Sequence, residues 1–244
     1  MTNDMNTTNP QTTTEPDIGY IPCYRLPFLS LFHADCMEIM KQYPDKYFDL
    51  AIVDPPYGLD LVNMNMGIGK SKKASKIQNR KWQPKDWDKN APKAEYFNEL
   101  FRVSKNQIIW GGNYFELPPC KNYIIWDKEI PKGLSFADCE LAWTSFDCAP
   151  KMFRYSAYLD KNDKFHPTQK PVDLYDWINS KYAKENAKIL DTHFGSGSIA
   201  LAIDKANRLD KMNLHLTACE IDKEYIDKAI KRISESIKQG TLSF

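Results

Sequence analysis

Short apolar runs that stop on a polar or charged residue alternate along this chain with longer stretches in which apolar positions recur every three or four residues. Phe48–Val53 ends at Asp54, and Gln107–Trp110 ends at Gly111. Tyr123–Trp126 and Glu140–Trp143 follow, then Lys188–Leu190 runs into Asp191 and Leu214–Cys219 into Glu220. Runs this short, rich in Ile, Val, Leu and Trp, predict buried strands. Helical spacing marks Ala94–Val103, Val172–Ala183, Ile199–Asn207 and Glu224–Ile237. Strands alternating with helices predict βα units on a doubly wound, mostly parallel α/β sheet. Ligands bind such sheets beyond the carboxyl ends of the strands, where Asp54, Asp191 and Glu220 fall.

Composition narrows the picture in a few places. With 244 residues the chain is long enough for one sizeable α/β domain and short for two. Residues 1–18 are rich in Thr and Asn and nearly free of apolar residues, which predicts a disordered lead-in to a single domain over 19–244. That lead-in lacks the basic start and apolar centre of a signal peptide, and no apolar run approaches the roughly 20 residues of a membrane span. The six cysteines are scattered without a C-x-x-C pair, so neither a zinc site nor a disulfide scaffold is expected, and the setting is expected to be reducing and cytoplasmic. A net charge of +1 means that any polyanion must be met by a local patch. One exists: Lys70–Lys93 holds nine Lys/Arg against two Asp, with Trp82 and Trp87 among them and no apolar periodicity. It is expected to be a long surface loop, about 60–93, inserted after the strand that ends at Asp54.

Four segments carry candidate chemistry. In Asp54-Pro55-Pro56-Tyr57, two prolines remove two backbone donors and hold the chain extended, leaving the Asp54 carboxylate and the carbonyls as acceptors. An exocyclic amino group on a base is a poor nucleophile, because its lone pair is delocalised into the ring. Two acceptors gripping its hydrogens free that pair for attack, and Tyr57 offers a flat face for an extruded base. The second segment, Asp191–Ser198, places Gly195 and Gly197 between a strand and a helix whose first N–H groups are free. It is neither the dinucleotide fingerprint, since Ala200 occupies the third glycine position, nor a phosphate loop. Glu220 ends the next strand roughly 25 residues on, where an acid commonly holds ribose hydroxyls; a helix N-terminal acid is the plainer reading of it. His166–Pro171 is a tight polar stretch whose Thr168 and Lys170 are placed to meet a carboxylate or backbone, with Pro171 suited to a first helical turn.

From about Leu31 to Ile233, the set resembles the amino-methyltransferases of DNA, which modify adenine N6 or cytosine N4. The resemblance implies a Rossmann-like fold of the S-adenosylmethionine-dependent type. The catalytic tetrapeptide precedes the glycine turn, which resembles the circularly permuted beta arrangement. It implies catalysis by Asp54, Pro55, Pro56 and Tyr57. Cofactor contacts would come from Asp35 at the adenine, from His166, Thr168, Gln169 and Lys170 at the methionine end, and from Asp191, Thr192, Phe194, Gly195, Ser196, Gly197, Ser198 and Glu220. The stretches Ser104–Phe115 and Trp126–Lys128 also match, as in solitary enzymes of phages and mobile elements and in restriction-modification systems. Asp rather than Ser at the head of the tetrapeptide tilts the expectation to adenine N6, with cytosine N4, RNA, or a silent cofactor-binding subunit as alternatives. No metal is expected, and a homodimer fits the resemblance. Thr192 and His193 depart from the usual Pro and Phe, leaving Phe194 as the candidate aromatic contact. The span from Asp127 to Phe165 is short for a target-recognition region, so DNA contact is assigned to Arg80, Lys81, Lys85 and Lys89 on phosphates, with Trp82 or Trp87 as a wedge.

Overall fold

A computed structural model describes residues 18–59, 90–130, 137–156 and 164–241. Its elements in chain order are β1 (Tyr24–Leu26), β2 (Leu29–His33), α1 (Cys36–Met40), β3 (Phe48–Val53), α2 (Ala94–Val103), β4 (Ser104–Trp110), a 3-10 turn (Gly112–Tyr114), β5 (Asn122–Asp127), β6 (Cys139–Thr144), β7 (Lys151–Arg154), α3 (Val172–Tyr182), β8 (Lys188–Asp191), α4 (Ser198–Leu209), β9 (His215–Glu220) and α5 (Lys223–Thr241). The strands form one sheet in the order β1-β2-β9-β8-β3-β4-β6-β5-β7. From β2 to β4 every neighbouring pair is parallel.

Alternation along the central strands explains the two helical layers. Leu50 and Ile52 of β3 point to one core with Leu174, Ile178, Ile203 and Ile233 of α3, α4 and α5. Ala51 and Val53 point to the other, with Ile39 and Met40 of α1 and Tyr96, Phe97 and Leu100 of α2. A strand covered on both faces reads as a continuous apolar run, as FDLAIV does. In α2, buried Tyr96, Phe97, Leu100 and Val103 make one stripe, and Arg102 on its flank donates to the carbonyls of Met40 and Tyr43, tying the end of α1 to α2.

The architecture is the expected Rossmann-like, mostly parallel sheet, with differences in detail. β6 lies antiparallel between β4 and β5, so β5 does not pair with its predecessor. Three strands go beyond the predicted set. The apolar run of β2 is broken by Ser30, which is buried at 0% exposure and paired with Thr217; β1 is three residues long; and β7 is an edge strand with mostly exposed side chains. Pro171 is the residue before α3 rather than its first turn. Ile18, assigned to the lead-in, is instead buried in the α1–α2 core. The remainder of that segment, most of the basic loop with Arg80, Lys81, Trp82, Lys85, Trp87 and Lys89, and parts of 127–165 lie outside the described residues. Among the described residues, no helix is long and apolar enough to cross a membrane, and no group of three or more His, Cys, Asp or Glu is arranged to hold a metal ion.

Candidate active site

The chain after β8 passes through α4 to β9 on one side, and the chain after β3 passes through α2 to β4 on the other. The boundary between β8 and β3 is therefore the topological switch point, where the two connections diverge and leave a crevice. Asp191 and the residue after Val53, Asp54, flank it. Further along the same carboxyl edge, His33 of β2 is in register with Glu220 of β9, which brings Asp35 towards Glu220. Residues distant in sequence thus share one edge because parallel strands end together.

At the tetrapeptide, the Tyr57 hydroxyl donates to Asp54 Oδ1 at 2.7 Å, and Lys170 Nζ donates to Asp54 Oδ2. The Lys170 side chain is 1% exposed, lies 3.3 Å from Glu140 Oε2, and rides over the Trp110 ring. Glu140 Oε1 in turn accepts from Lys128 Nζ at 3.2 Å. Burial works against the Lys170 charge, yet Asp54 and Glu140 outweigh it and hold the ammonium above its ordinary pKa. Burial pushes Asp54 upward and Lys170 partly offsets it; at Glu140 the two lysines win and the carboxylate is held low. Lys170, expected at the methionine end of a cofactor, is thus paired with the Asp54 carboxylate. Glu140 was not among the expected site residues, although an acid inside an otherwise apolar strand was the available signal.

Tyr57 is not an open platform. The Tyr114 ring stacks on it at 5.0 Å between centroids and 17° between planes, and Phe115 meets it edge-on. Gly111, in the left-handed region at φ 70°, lies so close to the Tyr57 ring that a Cβ there would sit 2.2 Å from Cε1. Among the described residues, the exposed ring at this point is that of Tyr114, at 47%.

The glycine turn is built around Glu220. Gly195 N–H donates to Glu220 Oε2 at 2.8 Å and Asp222 N–H donates to Oε1 at 2.9 Å. The helix-capping role falls to Asp222, whose Oδ1 accepts from Glu224 N–H at 2.9 Å. Gly195 and Gly197 both have positive φ, and Arg232 of α5 donates to the Ser196 carbonyl and to the Ser198 hydroxyl. The Phe194 ring is buried in the core against Gly197, beside Ile233. Thr192 is buried and bonded to the Tyr96 hydroxyl at 2.6 Å and to His193 Nδ1 at 2.9 Å. His166 packs its ring on Tyr225 at 4.3 Å and faces Gly195, while Thr168 reaches His166 Nδ1 at 3.2 Å. Gln169 Oε1 accepts from the Phe165 N–H. Asp35 is exposed and caps α1 through Met37 N–H at 2.7 Å. Burial, with the nearby carboxylates adding to it, raises Asp191 to about 7, and burial lowers His193 to about 4.

Residues 70–231, well over half of the chain, match the N6/N4 DNA methylase family. The chain belongs to that family. The matched span opens after Tyr57, so the tetrapeptide's place in this methylase rests on its geometry. Type II methyltransferase M2.LlaDCHI of Lactococcus lactis subsp. cremoris is 24% identical over 267 residues, covering 90% of this chain and 94% of that protein. M.HpaI of Haemophilus parainfluenzae is 35% identical over 81 residues, which is 33% of this chain and 24% of that enzyme. Among solved structures, the M1.HpyAVI–SAM complex superposes with a TM-score of 0.52 at 21% identity, over 84% of this chain and 99% of the other. PvuII DNA methyltransferase, cytosine-N4-specific, gives 0.57 at 14% identity over 88% and 89%. These two structures establish the methyltransferase fold of the sheet.

Proposed function

We propose that this methylase transfers a methyl group from S-adenosylmethionine to N6 of an adenine extruded from DNA, on a permuted scaffold of the beta type. The observation that carries the reading is Asp54 at the switch point, its two oxygens oriented by Tyr57 and Lys170 beside the glycine turn. A carboxylate has about four lone-pair positions, so two bonds leave acceptor capacity for a substrate amino group.

The residues present fit the cofactor. Glu220 keeps acceptor capacity for hydroxyls after taking two backbone N–H groups, and the positive-φ turn at Gly195 keeps a Cβ out of the cradle facing His166, while Gly197 makes room for the Phe194 ring and Ile233. Glu220, Asp35, Asp191, Gly195 and His166 are the residues that would hold it, with Thr168, Gln169, Thr192, Ser196, Gly197 and Ser198 around them. When bound, it supplies a sulfonium methyl group as the electrophile. Asp54 and the Pro55 carbonyl grip the two amino hydrogens of the base, which favours a tetrahedral nitrogen with its lone pair directed outward. Positioning and fixed acceptors account for most of the rate. The half-exposed Tyr114, stacked on Tyr57, presents the outer aromatic face for the base.

The basic segment joins this site at its stem. A Cβ on Gly58 would lie 2.9 Å from Ala91 N, so the insertion leaves and re-enters at one place, beside Tyr57. DNA drawn by Arg80, Lys81, Lys85 and Lys89, with Trp82 or Trp87 filling the vacated stack, would be delivered to that place. Asp at the head of the tetrapeptide favours adenine; cytosine N4 is the competing target on the same scaffold. Incubating DNA with labelled cofactor and digesting it to nucleosides decides between them. N6-methyladenine supports the proposal, N4-methylcytosine replaces it with the alternative, and no label in DNA sinks both.

A further inference from the structure

Behind Asp54 the charges alternate in sign over four side chains from four parts of the chain. Asp54 follows β3, Lys170 precedes α3, Glu140 lies on β6, and Lys128 follows β5. One lysine would suffice to neutralise Asp54, yet Lys170 is shared with a second carboxylate and that carboxylate with a second lysine. The Lys170 and Lys128 side chains are 1% and 14% exposed, so neither is a solvated surface ion. The sheet sets the outer half of the row: Trp126 is in register with Glu140, and Lys128 N–H donates to the Asp138 carbonyl at 3.0 Å. This fixes the Lys128 and Glu140 backbones before either side chain is placed.

We propose that Glu140 and Lys128 are positioning residues for Asp54. Glu140 holds the Lys170 ammonium in line with Asp54 Oδ2, and Lys128 keeps Glu140 aimed and charged, so the Asp54 acceptor is presented in one orientation. This rests on the reading of Asp54 as the acceptor for the substrate amino group. An ammonium with a single partner swings on its flexible stem; one pinned between two carboxylates has lost that freedom before substrate arrives.

Among the described residues, the charges facing Asp54 are Lys170, Glu140 and, from β8, Asp191, with Tyr57 and Tyr175 as neutral phenols. Removing the Glu140 charge takes a repelling carboxylate away from Asp54 and leaves Lys170 to it alone, so Asp54 ionises more easily. Removing the Lys128 charge leaves Glu140 less compensated, so Asp54 ionises less easily. The two variants therefore push in opposite directions, which loss of packing does not do.

The test measures single-turnover methyl transfer against pH, using full-length protein, saturating labelled S-adenosylmethionine and unmethylated genomic DNA amplified in vitro. Glu140→Gln should slow transfer by about tenfold or more at its best pH, with cofactor affinity within about twofold of wild type. Its acid limb should move to lower pH, and that of Lys128→Met to higher pH. Acid limbs that stay put in both variants, or move the same way in both, overturn the proposal. If Glu140→Gln fails to melt cooperatively, Lys128→Met decides by itself, because Lys128 is the outermost member of the row. Asp54→Ala run alongside separates the two levels: full transfer in that variant overturns the Asp54 reading, whereas a dead Asp54→Ala with unshifted Glu140→Gln and Lys128→Met overturns only the positioning row.

Discussion

Replacing Gly111 by Ala is the most direct perturbation of the tetrapeptide that leaves its four residues intact. At φ 70° an L side chain pays about 1–2 kcal/mol for the left-handed conformation. The added Cβ would also lie 2.2, 2.6 and 2.7 Å from Cε1, Cδ1 and Cζ of Tyr57. Ordinary carbon contacts are about 3.5–4.0 Å, so the ring must retreat by more than about 1 Å, at the roughly 1–3 kcal/mol typical of overpacking. The sum, about 2–5 kcal/mol, should lower the melting temperature by about 5–15 °C for a chain of this length. Gly19→Ala is the control, because Gly19 has φ 68° but nothing within 4 Å of a built Cβ, so it carries the strain without the clash. The retreat also breaks the 2.7 Å bond from the Tyr57 hydroxyl to Asp54, and a misplacement of about 1 Å in a catalytic constellation costs on the order of a hundredfold in rate. Differential scanning calorimetry and single-turnover transfer, run on both variants, read the two effects separately. A Gly111→Ala protein that melts no lower than Gly19→Ala and transfers methyl at the wild-type rate would refute the packing of Tyr57 on Gly111.

Other outcomes follow from the same geometry. Asp54→Ala should reduce transfer by about a hundredfold or more while cofactor binding, followed by calorimetric titration, is retained. Asp191 has its folded pKa raised from 3.8 to about 7, so its ionisation opposes folding above that value. The penalty, at most on the order of 4 kcal/mol, is relieved as pH falls from about 7 towards 4 and is absent below. Asp191→Asn should therefore be the more stable protein near pH 8 and lose that advantage near pH 4; urea melts showing a pH-independent difference would contradict it. Replacing Arg80, Lys81, Lys85 and Lys89 with Ala should weaken DNA binding without altering cofactor affinity, and lower the slope of log K against log salt by about 0.9 for each phosphate no longer neutralised. An unchanged slope would remove that segment from the DNA interface.

The amino-acid sequence by itself determined the elements whose signal is local. Strands buried on both faces read as continuous apolar runs, so β3, β4, β8 and β9 were legible from their composition, as was α2 from its stripe. Stops at Asp54, Asp191 and Glu220 were legible too, because a charged residue ending such a run belongs at the carboxyl edge. Three things were decided only by tertiary structure. Strand order places β6 between β4 and β5, and no local pattern encodes which strand intervenes. The partner of Asp54 is Lys170, 116 residues away, and the partner of Lys170 is Glu140 on another strand, pairings that sheet geometry creates and sequence spacing does not record. Tyr57, expected to offer a bare face, is covered by Tyr114 and backed by Gly111, because the turn after β4 folds over the turn after β3. The physical reason is common to all three. Periodicity reports which side of an element is buried, whereas charge pairing and ring stacking depend on what lies across the gap, and that is set by the closure of the whole sheet.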